Sequence, residues 1–324
     1  MPTLHAEREL AGWGRLPTAR CRLAIPSTRA ALAELVVGGE QPNYIARGLG
    51  RSYGDPALNA DAGVVRARCL GHMLEFDPAT GVLHAEADVS LAEIMDAFLP
   101  RGWFVPTTPG TKYVTLGGAI AADVHGKNHH HDGSFGSHVL SLELLTADGA
   151  TRHCSPDENV ELFVATIGGM GLTGVILSAR VRLVRTPSAY CTVRYRRAAN
   201  LDEAIELFER TNDEYRYSVA WVDALARGAD LGRSVLMLAN DAPVDALPAT
   251  QRATPHQFKG KAMKAVPCDA PAWLLNPATV KAFNTLFWLR HADCERLVDY
   301  GAFFYPLDSI RDWNRLYGKP GFIQ

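Results

Sequence analysis

The chain has 324 residues, 47% apolar and 21% charged, with a formal net charge of −2. That length suggests two domains or one large one, the apolar share is ample for a core, and the near-neutral balance excludes a general attraction to nucleic acid. Cysteines at 21, 69, 154, 191, 268 and 294 form no C-x-x-C pair. This argues against a metal ribbon or thioredoxin-type motif and for reduced packing thiols in a reducing compartment. The polar opening Met1–Glu7 has no signal-peptide pattern. No uncharged run reaches membrane-spanning length, and there is no internal repeat, so a cytoplasmic protein is expected.

Ser27 is expected to cap a helix over Thr28–Val37, ended by Gly38-Gly39. After Pro42 and Asn43, Tyr44–Ala46 reads as a short buried strand. It opens into Ala46-Arg47-Gly48-Leu49-Gly50-Arg51-Ser52-Tyr53-Gly54-Asp55. Glycine costs backbone entropy and buries no side chain, so its repeated use here implies φ > 0 or main chain lying close to a ligand. Successive N–H groups in such a turn form a concave anion nest. With Arg47 and Arg51 beside it, the segment suggests a pyrophosphate seat. Gly50-Arg51-Ser52-Tyr53-Gly54 also fits the G-x-S-x-G nucleophile elbow of serine hydrolases. An elbow must lead straight into a helix, and Asp55-Pro56 interrupts instead. It also falls before enough strands have passed to build a hydrolase sheet.

Further strands are expected near Gly63–Val65 and Val82–Ala87. Ser90-Leu91-Ala92-Glu93 is a capping box opening a helix to Leu99, with Gly102 just past its end. Pro106–Thr111 is a rigid polar loop. Thr115–Ala122 reads as a short helix of very small residues, which lets another backbone or a flat ligand come close. In the following loop, His125–Gly136, His125 and His129 stand at i, i+4. The glycines argue against a helix holding them there and no Glu follows His125, so no metal site is expected. A solvated loop accounts for His129–His131, but less well for His125, Lys127 and Asn128, which suit a flat cofactor with a cation beside it. Val139–Ala147, Asp148-Gly149 and Ala150–Cys154 form a β-hairpin. Gly169-Met170-Gly171-Leu172-Thr173-Gly174 matches G-x-G-x-x-G literally. A helix (Asp157–Ile167) precedes it and a strand (Val175–Val184) follows, the inverse of the dinucleotide-binding order, so a Rossmann site is rejected.

After Thr186-Pro187 the character changes. Strands Tyr190–Arg196, Tyr217–Asp223 and Ser234–Leu238 flank a helix over Leu201–Arg210, and the boundary is placed near Pro187, giving domains 1–187 and 188–324. Asp241–Pro255, rich in Ala and Pro, reads as a loop or mobile linker. Lys259, Lys261 and Lys264 precede Trp273-Leu274-Leu275 and an amphipathic stretch with Val280, Phe283, Leu286, Phe287 and Leu289. Basic residues beside apolar ones suit a membrane interface; the same residues would equally cover the core of the second domain.

The ordered set R-G-L-G-R-S-Y-G-D from Arg47, P-G-T from Pro109, T-L-G-G-A-I-A from Thr115, H-G-K-N-H-H from His125, G-S-F-G-x-H-V from Gly133 and G-G-x-G-L-T-G from Gly168 resembles the vanillyl-alcohol-oxidase-type (PCMH-type) FAD-linked oxidoreductases. Within them it is most similar to the decaprenylphosphoryl-β-D-ribose 2'-oxidases of arabinan precursor synthesis. The similarity runs from Trp13 to Gly321-Phe322, and its joint order is far more specific than any one piece. The resemblance implies an α+β fold, with a two-subdomain FAD-binding domain and an antiparallel-sheet substrate domain covering the isoalloxazine. It implies that Arg47, Gly48, Leu49, Gly50, Arg51, Ser52, Tyr53, Gly54, Asp55 and Asn59 wrap the pyrophosphate and adenosine side. Gly110, Thr115, Leu116, Gly117 and Gly118 would line the diphosphate and ribityl chain, His125, Gly126, Lys127 and Asn128 the ring, and Ile176 the adenine side.

The implied reaction oxidises a secondary alcohol of a sugar, the 2'-hydroxyl of polyprenylphosphoryl-β-D-ribose, to a ketone. A base takes the hydroxyl proton while hydride leaves carbon for flavin N5. Lys127 and His125 are the catalytic candidates, Lys127 as a point charge steadying a developing alkoxide or the substrate phosphate; a plain surface lysine is the alternative. A short-chain NAD(P)H-dependent keto-reductase is the implied partner, with peripheral contact at the inner membrane face. Some relatives attach FAD through a histidine in the glycine turn; Arg51 stands there, so non-covalent FAD is expected. The family continues beyond Gln324 with more substrate domain, including a lysine at the reacting carbon and a tyrosine touching the cofactor. The expectation is therefore a truncated product that binds FAD weakly and turns over poorly. Phe303, Phe304, Tyr305, Phe322 and Ile323 would then be short of partners. A non-catalytic flavin-binding remnant and a serine hydrolase acting through Ser52 are the rival readings.

Overall fold

Strands β1 (Leu4–Ala11) and β2 (Thr18–Ile25) pair antiparallel at the start of the computed structural model, which describes residues 4–258, 264–271, 273–291 and 293–322. Helix α1 (Arg29–Gly38) is capped by Thr28 rather than Ser27: Thr28 is extended, and its hydroxyl accepts from Ala31 N at 3.1 Å. Strands β3 (Tyr44–Ala46) and β4 (Gly63–Val65) run parallel to each other, and β4 runs parallel to β2, so the first sheet has the order β1-β2-β4-β3. The glycine turn is the excursion between β3 and β4.

Next come β5 (Met73–Asp77), β6 (Val82–Glu86) and α2 (Leu91–Phe98). Both halves of the Ser90–Glu93 capping box form, and Leu91, Ile94, Met95 and Phe98 put one helical face into the core. Then follow β7 (Trp103–Phe104), α3 (Leu116–Ala121), α4 (His129–Asp132), β8 (Val139–Leu145), β9 (Thr151–Cys154), α5 (Val160–Thr166) and β10 (Val175–Arg182). The second sheet, β5-β6-β10-β8-β9, is antiparallel throughout. The helix-then-strand order around the Gly169–Gly174 run is the one expected, α5 before it and β10 after. Strand β11 (Val184–Arg185) pairs with β7.

The remainder comprises β12 (Tyr190–Ala198), α6 (Leu201–Thr211), β13 (Tyr217–Val222), β14 (Ser234–Asp241), α7 (Ala249–Arg252), β15 (Lys264–Ala265), α8 (Pro277–Arg290), β16 (Cys294–Asp299), α9 (Tyr300–Phe304) and β17 (Ile310–Arg311). Its main sheet, β13-β14-β12-β16, is antiparallel. Strands alternate their side chains between two faces, and here each face has its own cover. Ala198, Leu236 and Leu238 pack under α6. Cys191, Val193, Tyr217 and Ala239 join Leu116, Ile120 and Phe135 in one continuous core. Mixed helices and mostly antiparallel sheets make the fold α+β.

Two expectations are corrected by packing. Asp241–Pro255 is not a bare linker: Ala242 and Leu247 are buried, Arg252 Nε donates to Leu247 O at 2.7 Å, and Pro255 O accepts from Ala189 N at 2.9 Å. Phe303, Phe304 and Tyr305 do not lack partners; they are 5%, 2% and 2% exposed, and the Phe304 ring sits 5.0–5.2 Å from those of Tyr217, Phe303, Tyr300 and Phe104. Phe322 packs on Tyr53 and Tyr317 at 5.4 and 4.3 Å. Ile323, Lys259 and Lys261 lie outside the described residues, whereas Lys264 is exposed.

Candidate functional site

The glycine turn, the start of α3 and the start of β10 enclose a cavity of about 340 Å³, within the range usual for cofactor sites. The turn is held from outside. Arg47 Nη2 donates to Ala11 O at 2.6 Å and Nη1 to Ala57 O at 3.1 Å, so its charge meets carbonyls and no carboxylate. Burial pushes its pKa down. Gly50 has φ +65°, and a Cβ there would stand 2.5 Å from Arg47 Nη2. Gly48 abuts the cap of α3, where a Cβ would lie 2.4 Å from Thr115 Oγ1. That hydroxyl accepts from Gly118 N at 3.1 Å. Gly117 N in turn donates to Ala87 O at 2.9 Å, and a Cβ on Gly117 would press on Ala87 at 2.9 Å.

Arg51 lies with its guanidinium 3.8 Å over the Trp13 ring. Burial lowers its pKa, and Asp308 and Asp312 act against that at longer range. Its Nε is buried and has no hydrogen-bond partner among the described residues. A buried donor is rarely left unpaired in a folded protein, so this wall holds one donor in want of an anionic or polar acceptor. Arg47, Gly48, Leu49, Gly50, Arg51, Ser52, Tyr53, Gly110, Thr115, Gly117, Gly118 and Ile176 all line the cavity. A dinucleotide with a pyrophosphate fits such a wall: an unpaired arginine donor, a cradle that any Cβ would fill, and apolar surface beyond.

Other predicted residues sit elsewhere. Leu116 is wholly in the core. Asn59 donates to Asn43 Oδ1 at 2.8 Å and Gly63 O at 3.0 Å, tying the end of the turn to β4. Asp55 O accepts from Leu58 N, and Gly54 takes φ +69° in the same bend. Gly54, Asp55 and Asn59 therefore shape the turn from behind the cavity wall. The cavity reaches Val124 and stops before His125. His125 is exposed, its ring 5.7 Å from that of His129. Gly126 leaves no room for a side chain, since a Cβ would lie 2.6 Å from Thr108 O.

Lys127 turns toward α9. Its Nζ donates to Phe304 O at 3.3 Å and lies 5.5 Å from the Phe303 ring centre. Burial pulls its pKa down to about 8, with only a weak opposing effect from Cys191. Asn128 is 2% exposed, accepts from Thr107 Oγ1 at 2.9 Å, and spends both amide hydrogens on Pro106 O (2.8 Å) and Asp132 Oδ2 (2.6 Å). Its side chain thus fixes the loop and has no donor left for a ligand.

Sequence reasoning did not assign Trp13, Asp88, Leu307 or Trp313 to the cavity wall. Trp13 carried no local signal; its role depends on Arg51 reaching it from another element. Gly171 and Gly174 belong to the rejected dinucleotide pattern yet also face the cavity. Gly174 has φ +146° with Leu145 O 2.3 Å from where a Cβ would be, so close packing against β8 requires it. Ser52 leads into Asp55-Pro56 and no helix, which removes the hydrolase elbow. Among the described residues there is no cluster of metal-ligating side chains, and no helix is long and apolar enough to cross a membrane.

Residues 22–155 match the FAD binding domain family. The chain is 39% identical to the decaprenylphosphoryl-β-D-ribose oxidase of Mycolicibacterium smegmatis over 324 residues, covering 98% of this chain and 70% of that protein. It is 34% identical to cytokinin dehydrogenase 8 of Oryza sativa subsp. indica over 52% of this chain and 32% of that one. With the Δ24-sterol reductase of Rattus norvegicus it shares 27% identity over 50% of this chain and 31% of the relative.

Proposed function

This chain belongs to the decaprenylphosphoryl-β-D-ribose oxidase family of FAD-binding oxidoreductases, and from that premise we propose that it oxidises the 2'-hydroxyl of a polyprenylphosphoryl-β-D-ribose to the 2'-ketone. The observation that carries the reading is the glycine-walled cavity with its unpartnered Arg51 Nε. The first and second sheets would be the two subdomains of the FAD-binding unit. Arg47, Arg51 and the turn amides would hold the pyrophosphate; Thr115, Gly117 and Gly118 would let the ribityl chain lie against α3. Bound FAD supplies the two-electron acceptor for the carbinol hydrogen. Lys127, largely protonated near neutral pH, steadies the oxygen as its proton leaves or binds the substrate phosphate, and exposed His125 receives the proton. Conversion of the ribose lipid to its ketone by the FAD-loaded protein, followed by mass spectrometry, tests this; a protein that carries FAD and leaves the lipid unchanged would refute it.

FAD is held without a covalent bond in this reading, because Arg51 occupies the place where an attaching histidine would be needed. Acid or heat should therefore release all of the flavin. Fluorescence that stays with the denatured polypeptide would contradict it.

A ketone product requires a reductase to become the epimeric alcohol, and a short-chain NAD(P)H-dependent enzyme is the proposed partner. Ketone should accumulate when the oxidase acts alone, and re-formation of an alcohol without a second protein would count against this. Peripheral membrane contact is proposed for α8. Asn284, Phe287 and Trp288 face its own domain, while Phe283, Leu286 and Leu289 are 60%, 67% and 58% exposed, close in sequence to an exposed Trp273. Such a face suits the acyl boundary. Anionic vesicles should sediment the protein, and a Phe283→Ser/Leu286→Ser variant should stay in solution; equal sedimentation of both would rule α8 out.

A further inference from the structure

The chain entering β13, Tyr215 to Ser218, clamps the 127–132 segment at three points. Ser218 N donates to Lys127 O at 2.8 Å. Arg216 Nε donates to Asp132 Oδ2 at 2.8 Å. Tyr215 O lies 3.0 Å from His130 Nε2. Asp132 Oδ2 is the same oxygen that receives Asn128 Nδ2, so Arg216 and Asn128 are joined through one carboxylate atom. Arg216 Nη1 reaches in the other direction to Asp241 Oδ2 at 3.0 Å, and Asp241 is bonded by the hydroxyls of Tyr217 and Tyr300. The chain of contacts therefore runs from the core of the substrate domain, through one guanidinium, to the amide that fixes the loop bearing His125 and Lys127.

The planar fork meets the two carboxylates in fixed directions at once; a lysine ammonium, a point charge on a flexible stem, would hold them less firmly. Burial opposes the charge on Arg216, but the Asp132 and Asp241 carboxylates outweigh it and keep the group protonated. Burial also opposes the charge on Asp132, and the hydrogen bonds from Arg216 and Asn128 reverse that and hold it ionised.

We propose that Arg216 is a positioning residue that transmits the seating of the substrate domain to the His125–Asn128 segment and so to the flavin beside it. This rests on the reading above that this segment lies at the flavin ring. It predicts that loss of the link is felt by bound FAD, although Arg216 does not line the cofactor cavity.

The test uses FAD-loaded protein and two readouts besides turnover: the visible circular dichroism of the bound flavin and the FAD dissociation constant. Arg216→Gln and Asp132→Asn should each change the dichroism and weaken FAD by about fivefold to tenfold, and the double variant should be no worse than the worse single one, as for neighbours in one network. Arg216→Lys should recover part of the signal. Arg233→Gln is the control. It breaks an equally short and more buried pair with Asp223, at 2.7 Å, in the same domain but away from the loop. It should lower thermal stability and leave the flavin signal alone. If Arg216→Gln does not fold, the isosteric Asp132→Asn decides. A flavin signal and affinity like wild type in these variants, or an equal change in Arg233→Gln, would overturn the proposal. Lys127→Met separates the premise: if it too leaves the dichroism unchanged, the segment does not lie at the ring and the placement has failed; if it changes the dichroism and Arg216→Gln does not, the coupling has failed.

Discussion

Replacing Gly50 by valine will abolish FAD binding in a protein that still folds. Gly50 sits at φ +65°, where a β-branched residue is strained by about 1–3 kcal/mol. The new Cβ would also displace Arg47, whose two bonds to Ala11 O and Ala57 O hold the turn open. A nest whose amides no longer converge loses the pyrophosphate, and a loss of at least about a hundredfold in affinity is expected, since each 1.4 kcal/mol is tenfold. Gly228→Val isolates the geometric part. Gly228 has a similar φ of +63°, with open space where its Cβ would go. It should lose comparable stability and keep FAD. Equilibrium dialysis or flavin fluorescence titration of both variants makes the comparison; unchanged FAD content in Gly50→Val would show that this turn does not seat the pyrophosphate.

Lys127→Met should lower turnover by on the order of a hundredfold, the scale of losing one group that stabilises developing negative charge. The same change should stabilise the fold below pH 8. The sign follows from linkage: burial lowers the folded pKa of Lys127 to about 8, from 10.5. Between those values the unfolded chain holds the proton that the folded one has released, so stability rises with pH across that window. Methionine removes the need to bury a charge below it. Turnover should behave the opposite way, falling as pH rises through about 8 in the wild type while the residual rate of the methionine variant stays flat there. Thermal melts at pH 6.5 and 9.5, with rate–pH profiles of the FAD-saturated proteins, check both halves. A methionine variant of normal rate, or of unchanged stability at the lower pH, would contradict this account of Lys127.

What was legible in the sequence had local causes. The glycine turn was readable because repeated glycine marks left-handed backbone, as at Gly50, and close approach, as of Thr115 to Gly48. α2 was readable because Ser90 and Glu93 announce its cap, and α3 because its run of very small residues marks a short helix; that Thr115 caps α3 is seen only in the structure. The misses are long-range. β1 and β2 carry charged residues along both edges of a half-exposed pair, so their alternation is blurred, and they exist because they pair with each other. Thr28 rather than Ser27 caps α1 because the cap is whichever hydroxyl precedes the first helical residue, a choice of one position that composition does not resolve. Asp241–Pro255 looked like a linker for its Ala and Pro, yet Ala242 and Leu247 find buried sites that only the folded sheet provides. In the site, Trp13 under Arg51 and the Asp132–Arg216–Asp241 link unite residues far apart in the chain, and no spacing rule connects them. Asn128 was readable as part of the loop; that its amide is consumed inside the protein is visible only with Pro106, Thr107 and Asp132 in place.

The central claim is that the glycine-walled cavity holds FAD able to accept the hydrogen of a ribosyl 2'-carbinol. Anaerobic mixing of the FAD-loaded protein with polyprenylphosphoryl-β-D-ribose, followed at the visible flavin absorption band, tests it directly. The account predicts bleaching of the flavin with the ribose lipid and none with its 2'-deoxy analogue. A flavin spectrum unchanged by the ribose lipid, or bleached equally by the deoxy compound, would contradict it.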